Sequence, residues 1–297
     1  MNLVQLHPLS LSPANSHPPP FPSQILLSNF SSRFIAARYS FRSFCSSKGK
    51  AADDAVSEEF SVLSSDIPWD GGSSWSTMAL YFFSLHIPLS FGGLSLVTQL
   101  LHQPILDPQM KAISLPIIQT TELLGALALL QYTTKRQYKL TSFFHGKKHS
   151  GERNWIQASA LGFGFLISLV LLTSLLADRL IGTKDVNNPM LTEILSSSNA
   201  AKVACFTVYC FITPLLEEIV YRGFLLTSLT STMEWWRAVI ISACVFSAAH
   251  LSWENAPQLF IIGCVLGCTY CWTGNLASSF TIHSLYNAVI LLSMILA

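Results

Sequence analysis

The amino-acid sequence predicts an all-α membrane protein, a polytopic bundle of about seven or eight transmembrane helices. Hydrophobic residues make up 51% of the 297-residue chain and charged residues only 11%, against about 25% charged residues in typical proteins. Apolar runs near the length of a bilayer span, about 17–25 residues, recur after residue 75. The net charge of +1 and the lack of a basic patch interleaved with aromatics exclude nucleic acid as an expected partner.

Residues 1–52 are predicted to be an organelle transit peptide that is removed near residues 43–52. This stretch contains no acidic residue, since the first is Asp53, and it holds eleven serines and several basic residues. Such a composition is typical of targeting segments, and the abundance of Ser and Pro favours a chloroplast over a mitochondrion. A disordered cytosolic tail is the alternative. Residues 53–75 then become acidic and are predicted to be a solvated linker.

The membrane domain is predicted to occupy residues 76–297. Pro214 in the long fourth segment could divide it into two half-helices, because proline removes a helix hydrogen bond. The candidate spans are 76–100, 112–132, 155–176, 202–228, 237–252, 257–273 and 277–296.

Two further patterns concern orientation and packing. The loop 133–154 carries six basic residues, more than any other loop, which places it on the stromal side by the positive-inside rule. Gly263 and Gly267 form a GxxxG pair, which predicts close helix packing.

Ionisable side chains inside the apolar segments predict one buried polar site. A charge at bilayer depth costs several kcal/mol, so such residues usually face a protein interior and carry a function. The alternative is that each residue has only a structural role. That alternative explains six polar groups on neighbouring helices poorly, because so many buried polar groups would cost stability. The six groups are Glu217, Glu218, Arg222, His250, His283 and Asn287.

The spacing of these residues predicts a division of roles. Glu218 and Arg222 are four apart and share a helix face, so Arg222 can neutralise and orient Glu218. Glu217 then remains as a partly desolvated carboxylate suited to act as a general base.

The two later segments supply the partners of that base. His250 can polarise the same water or deliver a proton to a leaving group. His283 and Asn287, again four apart, present N–H donors of the kind that stabilise an oxyanion. Glu122 is a further intramembrane acid that could line the cavity or hydrogen-bond a neighbouring helix, and His86, with no partner apparent in the sequence, is interpreted as structural.

The motifs EExxYR at 217–222, FxxxH at 246–250 and HxxxN at 283–287 resemble, in order and spacing, those of the CPBP family of type II CAAX prenyl endopeptidases and Abi-like membrane proteins. The resemblance covers about residues 200–297. It implies a glutamate-dependent intramembrane endopeptidase in which Glu217 and His250 activate water and His283 and Asn287 stabilise the oxyanion. Glu218 and Arg222 would support the site, and no polar position departs from the pattern.

Zinc is the alternative mechanism, because the family was long described as metal-dependent. No HExxH motif occurs, but Glu218, His250 and His283 could form a His₂Glu ligand set. The favoured mechanism requires no cofactor.

The sequence thus predicts a peptidase of the thylakoid or inner-envelope membrane that acts on a peptide or membrane-protein substrate among membrane lipids. Substrate identity and oligomeric state are not encoded in any recognisable pattern. A non-catalytic scaffold of the same fold, which binds other plastid membrane proteins, is the rival. A proton transporter is a third interpretation, but it lacks visible inverted repeats.

Overall fold

The computed structural model describes residues 60–64, 66–69, 71–135, 153–181 and 189–296. Within these ranges the chain is helical, and no strand occurs among them. The helices are α1 (Ser74–Phe91), α2 (Gly93–Leu100), α3 (Pro108–Thr133), α4 (Trp155–Ile181), α5 (Pro189–Ser197), α6 (Asn199–Thr230), α7 (Trp235–Ala249), α8 (Ala256–Thr273) and α9 (Leu276–Leu296).

The predicted all-α membrane bundle is confirmed, whereas the predicted count of seven or eight spans is not. In the described part of the chain, five helices are long and apolar enough to cross a bilayer: α3, α4, α6, α8 and α9. A sixth candidate is the pair α1 and α2, which is bent by 62°. Helix α7 has only 15 residues, about 22 Å at 1.5 Å per residue, and is therefore shorter than the hydrocarbon core of about 30 Å.

Helix α6 runs through Pro214 without dividing into two half-helices. Its backbone is π-helical at Val208–Ile212, immediately before the proline, and again at Glu218–Leu226. A π-helical turn bonds each N–H to the carbonyl five residues earlier, and Thr213 donates to Val208 in this way. This wider turn accommodates Pro214 at the first turn of the following α-helical segment, where a missing N–H is tolerated.

The predicted linker is not a solvated tether over the part that the structure describes. Phe60 stacks on Trp235 with ring centroids 4.2 Å apart, and the Val62 N–H donates to the Cys271 carbonyl at 3.0 Å. Ile67 and Trp69 are buried. Apolar residues lie among the acidic residues of this stretch, and these apolar residues pack onto the bundle. Residues 1–52, with the predicted transit peptide, and residues 136–152 of the basic loop lie outside the described residues.

The GxxxG pair packs as expected. A side-chain carbon at Gly263 would lie 2.9 Å from the Ala243 Cβ and 3.0 Å from its Cα, so α7 and α8 approach each other backbone to backbone. At Gly267 the corresponding carbon would lie 3.2 Å from Val239 Cγ1. The close approach holds α8 against α7, and both helices border α6, which carries the glutamate pair.

Substitution Gly263→Ala is expected to destabilise the protein by about 1–3 kcal/mol, because an overpacked methyl group must displace the Ala243 backbone. The matched control is Gly164→Ala in α4, since nothing lies within 4 Å of the position where its Cβ would stand. Thermal unfolding of both variants in detergent measures the difference. Equal unfolding temperatures would contradict the close packing of α7 and α8.

Candidate active site

The two consecutive glutamates lie in the centre of α6 and point to different neighbours. Glu217 ends an α-helical segment and Glu218 begins the π-helical one. Glu217 is 3% exposed and Glu218 is fully buried. Since successive helical residues are separated by about 100°, one carboxylate can face a cavity while its neighbour faces an internal partner.

Glu218 is held by a cation and a histidine. Its Oε1 atom accepts a hydrogen bond from Arg222 Nη1 at 2.8 Å and lies 2.9 Å from His283 Nδ1. Arg222 is also buried, with its guanidinium carbon 4.5 Å from the centroid of the Phe246 ring. The Glu218–Arg222 pairing expected from the i,i+4 spacing is therefore present. Phe246 adds a cation–π contact that sequence spacing alone did not assign.

The two histidines converge on Glu217. His250 Nε2 lies 3.7 Å from Glu217 Oε1, and His283 Nε2 lies 3.6 Å from Glu217 Oε2. His250 Nδ1 donates to the Phe246 carbonyl at 2.7 Å, because a carbonyl oxygen only accepts. In neutral His250 the Nε2 atom facing Glu217 is therefore an acceptor. Both Nε2 separations are longer than a direct hydrogen bond and suit a bridging water.

A small cavity lies between these groups. It is lined by polar residues from α6, the end of α7 and α9, and by apolar residues of α7 and α8. About 10 Å³ is available to the centre of a water molecule, which is about the room that one water requires. The lining residues are Glu217, Phe246, His250, Leu259, Ile262, His283, Tyr286 and Asn287.

Asn287 borders the same cavity with a fixed amide. Its Nδ2 donates to the Tyr209 carbonyl of α6 at 2.8 Å, so one amide hydrogen anchors the side chain and the second is left for another acceptor. All six residues that the sequence singled out are thus brought together at α6, α7 and α9. Tyr286 and the apolar lining from α8 were not predicted, because no charge or motif marks them in the sequence.

The ligand set named for zinc is not assembled. Both histidine Nε2 atoms face Glu217, whereas Glu218 is occupied by Arg222 and by His283 Nδ1. Among the residues that the structure describes, no group of three His, Cys, Asp or Glu side chains has an arrangement that could hold a metal ion.

A second buried polar cluster joins two residues that sequence reasoning did not pair. Glu122 of α3, for which a hydrogen bond to a neighbouring helix was one expectation, lies 2.8 Å from His86 of α1. Their separation of 36 residues hides the pairing, although an intramembrane acid and an intramembrane base in one sequence are a signal that could have found it.

Fold and site together define a class, that of multi-pass membrane proteins with a buried glutamate–histidine centre. Residues 199–289 match the family of type II CAAX prenyl endopeptidases described as Rce1-like. A curated relative is the membrane-embedded CAAX protease MroQ of Staphylococcus aureus (strain USA300), 26% identical over 142 residues. The match spans 46% of this chain and 57% of the relative's length. No solved structure matches the chain. Residues 199–289 are thus similar to the CPBP family, in the same part of the chain that carries the three motifs.

Proposed function

We propose that the protein is an intramembrane endopeptidase that hydrolyses a peptide bond with water activated by Glu217. The observation that carries this proposal is the convergence of two histidine Nε2 atoms on the two oxygens of Glu217, at 3.7 and 3.6 Å. Glu217, His250 and His283 surround a cavity of about the size of one water molecule. Each of the three side chains can exchange a proton with a water in that cavity.

The proposed reaction follows from this arrangement. Glu217 accepts a proton from the water, whose oxygen attacks the carbonyl carbon of the peptide bond. The proton held by Glu217 then passes to His250 Nε2, which delivers it to the amide nitrogen as the C–N bond breaks, so that Glu217 is again a carboxylate. His283, as an imidazolium balanced by Glu217 and Glu218, and Asn287, with its second amide hydrogen, stabilise the oxyanion.

Arg222 and Glu218 hold the side chain of His283 in position. The 2.8 Å bond between them fixes the carboxylate, and that carboxylate fixes the ring of His283 through Nδ1 at 2.9 Å. The pair contributes orientation, because a reacting group displaced by about 1 Å can lose about 10²-fold in rate.

The proposed substrate is a peptide or a membrane-protein segment that enters from the lipid. We also propose that the protein resides in a chloroplast membrane, thylakoid or inner envelope. A plastid does not ordinarily present prenylated CAAX proteins, so the prenyl group in the family's description need not apply to the substrate of this chain. Fusing residues 1–52 to a fluorescent reporter tests the location, and a cytosolic signal would refute it.

Cleavage in ¹⁸O-labelled water tests the proposed reaction directly. The purified full-length protein in detergent is incubated with candidate plastid membrane peptides, and the products are analysed by mass spectrometry. After a single turnover, one ¹⁸O atom is expected in the new carboxyl terminus of the product. No ¹⁸O is expected in the peptide of α6 that contains Glu217. Label in Glu217 would indicate a covalent intermediate and would exclude its role as a general base.

The proposed mechanism requires no metal, since protein side chains carry out each proton transfer and stabilise the oxyanion. Activity is therefore expected to survive prolonged treatment with a chelator, and elemental analysis of the active protein should find no stoichiometric zinc. Loss of activity on chelation, restored by added zinc, would replace this mechanism with a metal-dependent one.

The scaffold hypothesis makes a different prediction from the same site. A binding protein needs its fold but not its base, so Glu217→Gln would then rescue a deletion mutant as well as the wild type does. The peptidase hypothesis predicts that only the wild type rescues.

A further inference from the structure

A buried cluster on α1 and α3 lies beside the proposed active site. Its centre is Glu122, which is fully buried. Tyr81 donates to Glu122 Oε1 at 2.8 Å, Ser90 donates to Oε2 at 2.6 Å, and His86 Nδ1 lies 2.8 Å from Oε1. Tyr81 and Ser90 donate to the two oxygens of this carboxyl group, and His86 Nδ1 shares a hydrogen bond with Oε1.

The second nitrogen of His86 reaches the helix that precedes His250. His86 Nε2 lies 3.4 Å from the carbonyl oxygen of Ala249. Because a carbonyl oxygen only accepts, His86 Nε2 donates to Ala249, while Nδ1 is bonded to Glu122. Ala249 is the last residue of α7, where carbonyls lack intrahelical partners, so His86 supplies one of the missing donors.

The other arm of the cluster reaches the helix that carries Glu217. Thr213 donates to Gln119 Oε1 at 3.3 Å, and Gln119 Nε2 donates to Ser90 Oγ at 3.3 Å. Ser90 in turn donates to Glu122. Every donor in this arm is directed towards the carboxylate, so the chain of hydrogen bonds is internally consistent.

The two ends of the cluster lie close in the chain to the two residues that are proposed to activate water. Thr213 lies four residues before Glu217 on α6, and Ala249 is covalently bonded to His250. Beyond His250 the chain turns through Leu251, which has a φ of 48°. His250 is thus at the end of its helix, where the helix's own hydrogen bonds stop.

We propose that His86 and Glu122 are positioning residues, and that their hydrogen-bonded pair holds the end of α7 against α6 so that His250 and Glu217 share one water. The catalytic part of this inference rests on the proposed function, whereas the positioning of His250 does not. Both residues lie outside the segment 199–289 that matches the family, so this support comes from the N-terminal half of the chain.

Kinetics of the full-length protein test the catalytic part. His86→Gln and Glu122→Gln are each expected to lower kcat by about 10- to 100-fold with KM changed less than about threefold. The double variant restores neutral hydrogen-bonding partners, and its kcat should exceed that of either single variant. The control is Lys111→Gln, which removes an ion pair of α3 with Glu193 at its surface and should leave kcat unchanged.

A second measurement does not depend on catalysis. Diethyl pyrocarbonate modifies neutral imidazole, and mass spectrometry follows the rate at which His250, 5% exposed in the wild type, is labelled. Labelling several-fold faster in Glu122→Gln than in Lys111→Gln, at equal unfolding temperature, supports positioning even if the wild type cleaves no peptide, in which case only the proposed function fails. Unchanged labelling together with unchanged kcat, or a loss of activity that only follows the folded fraction, would overturn the proposal.

Discussion

Replacing Glu217 with glutamine is expected to lower kcat by about 10²- to 10⁴-fold, the contribution of a general base. Glutamine has nearly the same shape as glutamate and can still hydrogen-bond to a water between His250 and His283. It cannot accept the proton of that water, so the expected loss is in chemistry and KM should change little. Single-turnover cleavage of a membrane peptide in detergent measures the effect.

The matched control for this variant is Glu234→Gln at the start of α7. The carboxylate of Glu234 is 52% exposed and pairs with Arg237, so its neutralisation should leave kcat within about twofold, as for an ordinary surface substitution. Both variants must unfold at the wild-type temperature for the comparison to hold. A Glu217→Gln protein with kcat near the wild-type value would remove Glu217 from the mechanism and leave the scaffold hypothesis as the better account.

The residues of this site could be predicted from the sequence because each one is a polar side chain within an apolar segment. A carboxylate or an imidazole within an apolar run is costly in a membrane, so Glu217, His250 and His283 are conspicuous, and the i,i+4 spacing by itself pairs Glu218 with Arg222. The same reasoning placed His250 at the water of Glu217, but it did not place His283 between Glu217 and Glu218. That position depends on how α9 packs against α6, which local spacing does not encode.

The sequence was less informative where helices depart from ideal geometry. Pro214 suggested a break, but a π-helical turn precedes it and the helix continues. The partnership of His86 with Glu122 joins two helices through a contact that local spacing does not encode. The acids before residue 75 suggested a solvated tether, although Trp69 is 2% exposed. In each case tertiary packing outweighed a local signal.

Arg222→Met is expected to destabilise the fold by about 3–5 kcal/mol, the typical cost of leaving a buried charge without its partner. Arg222 and Glu218 are 1% and 0% exposed and lie 2.8 Å apart. Methionine fills most of the volume but leaves the buried Glu218 carboxylate with His283 Nδ1 in place of two partners. The free energy of unfolding in detergent, from denaturant titration, measures the loss.

The chain contains a matched control for this pair at its surface. Arg237 and Glu234 are also an arginine and a glutamate one turn apart, 3.2 Å from each other, and Arg237 lies over the Trp236 ring as Arg222 lies over Phe246. Their side chains are 59% and 52% exposed. Arg237→Met should therefore cost at most about 1 kcal/mol, because solvent already screens the charges. Equal losses in the two variants would mean that burial of the first pair contributes nothing.

The double variant Glu218→Gln with Arg222→Met separates charge from hydrogen bonding at the site. Both charges are removed together, so part of the stability lost in Arg222→Met should return, with a coupling energy of about 0.5–3 kcal/mol between the two positions. The glutamine oxygen can still accept from His283 Nδ1, which keeps that ring facing Glu217. Activity should nevertheless stay low, because the proposed oxyanion contact uses the imidazolium form of His283, which the negative charge of Glu218 stabilises. A double variant that regains activity together with stability would instead show that Glu218 acts only by orienting His283.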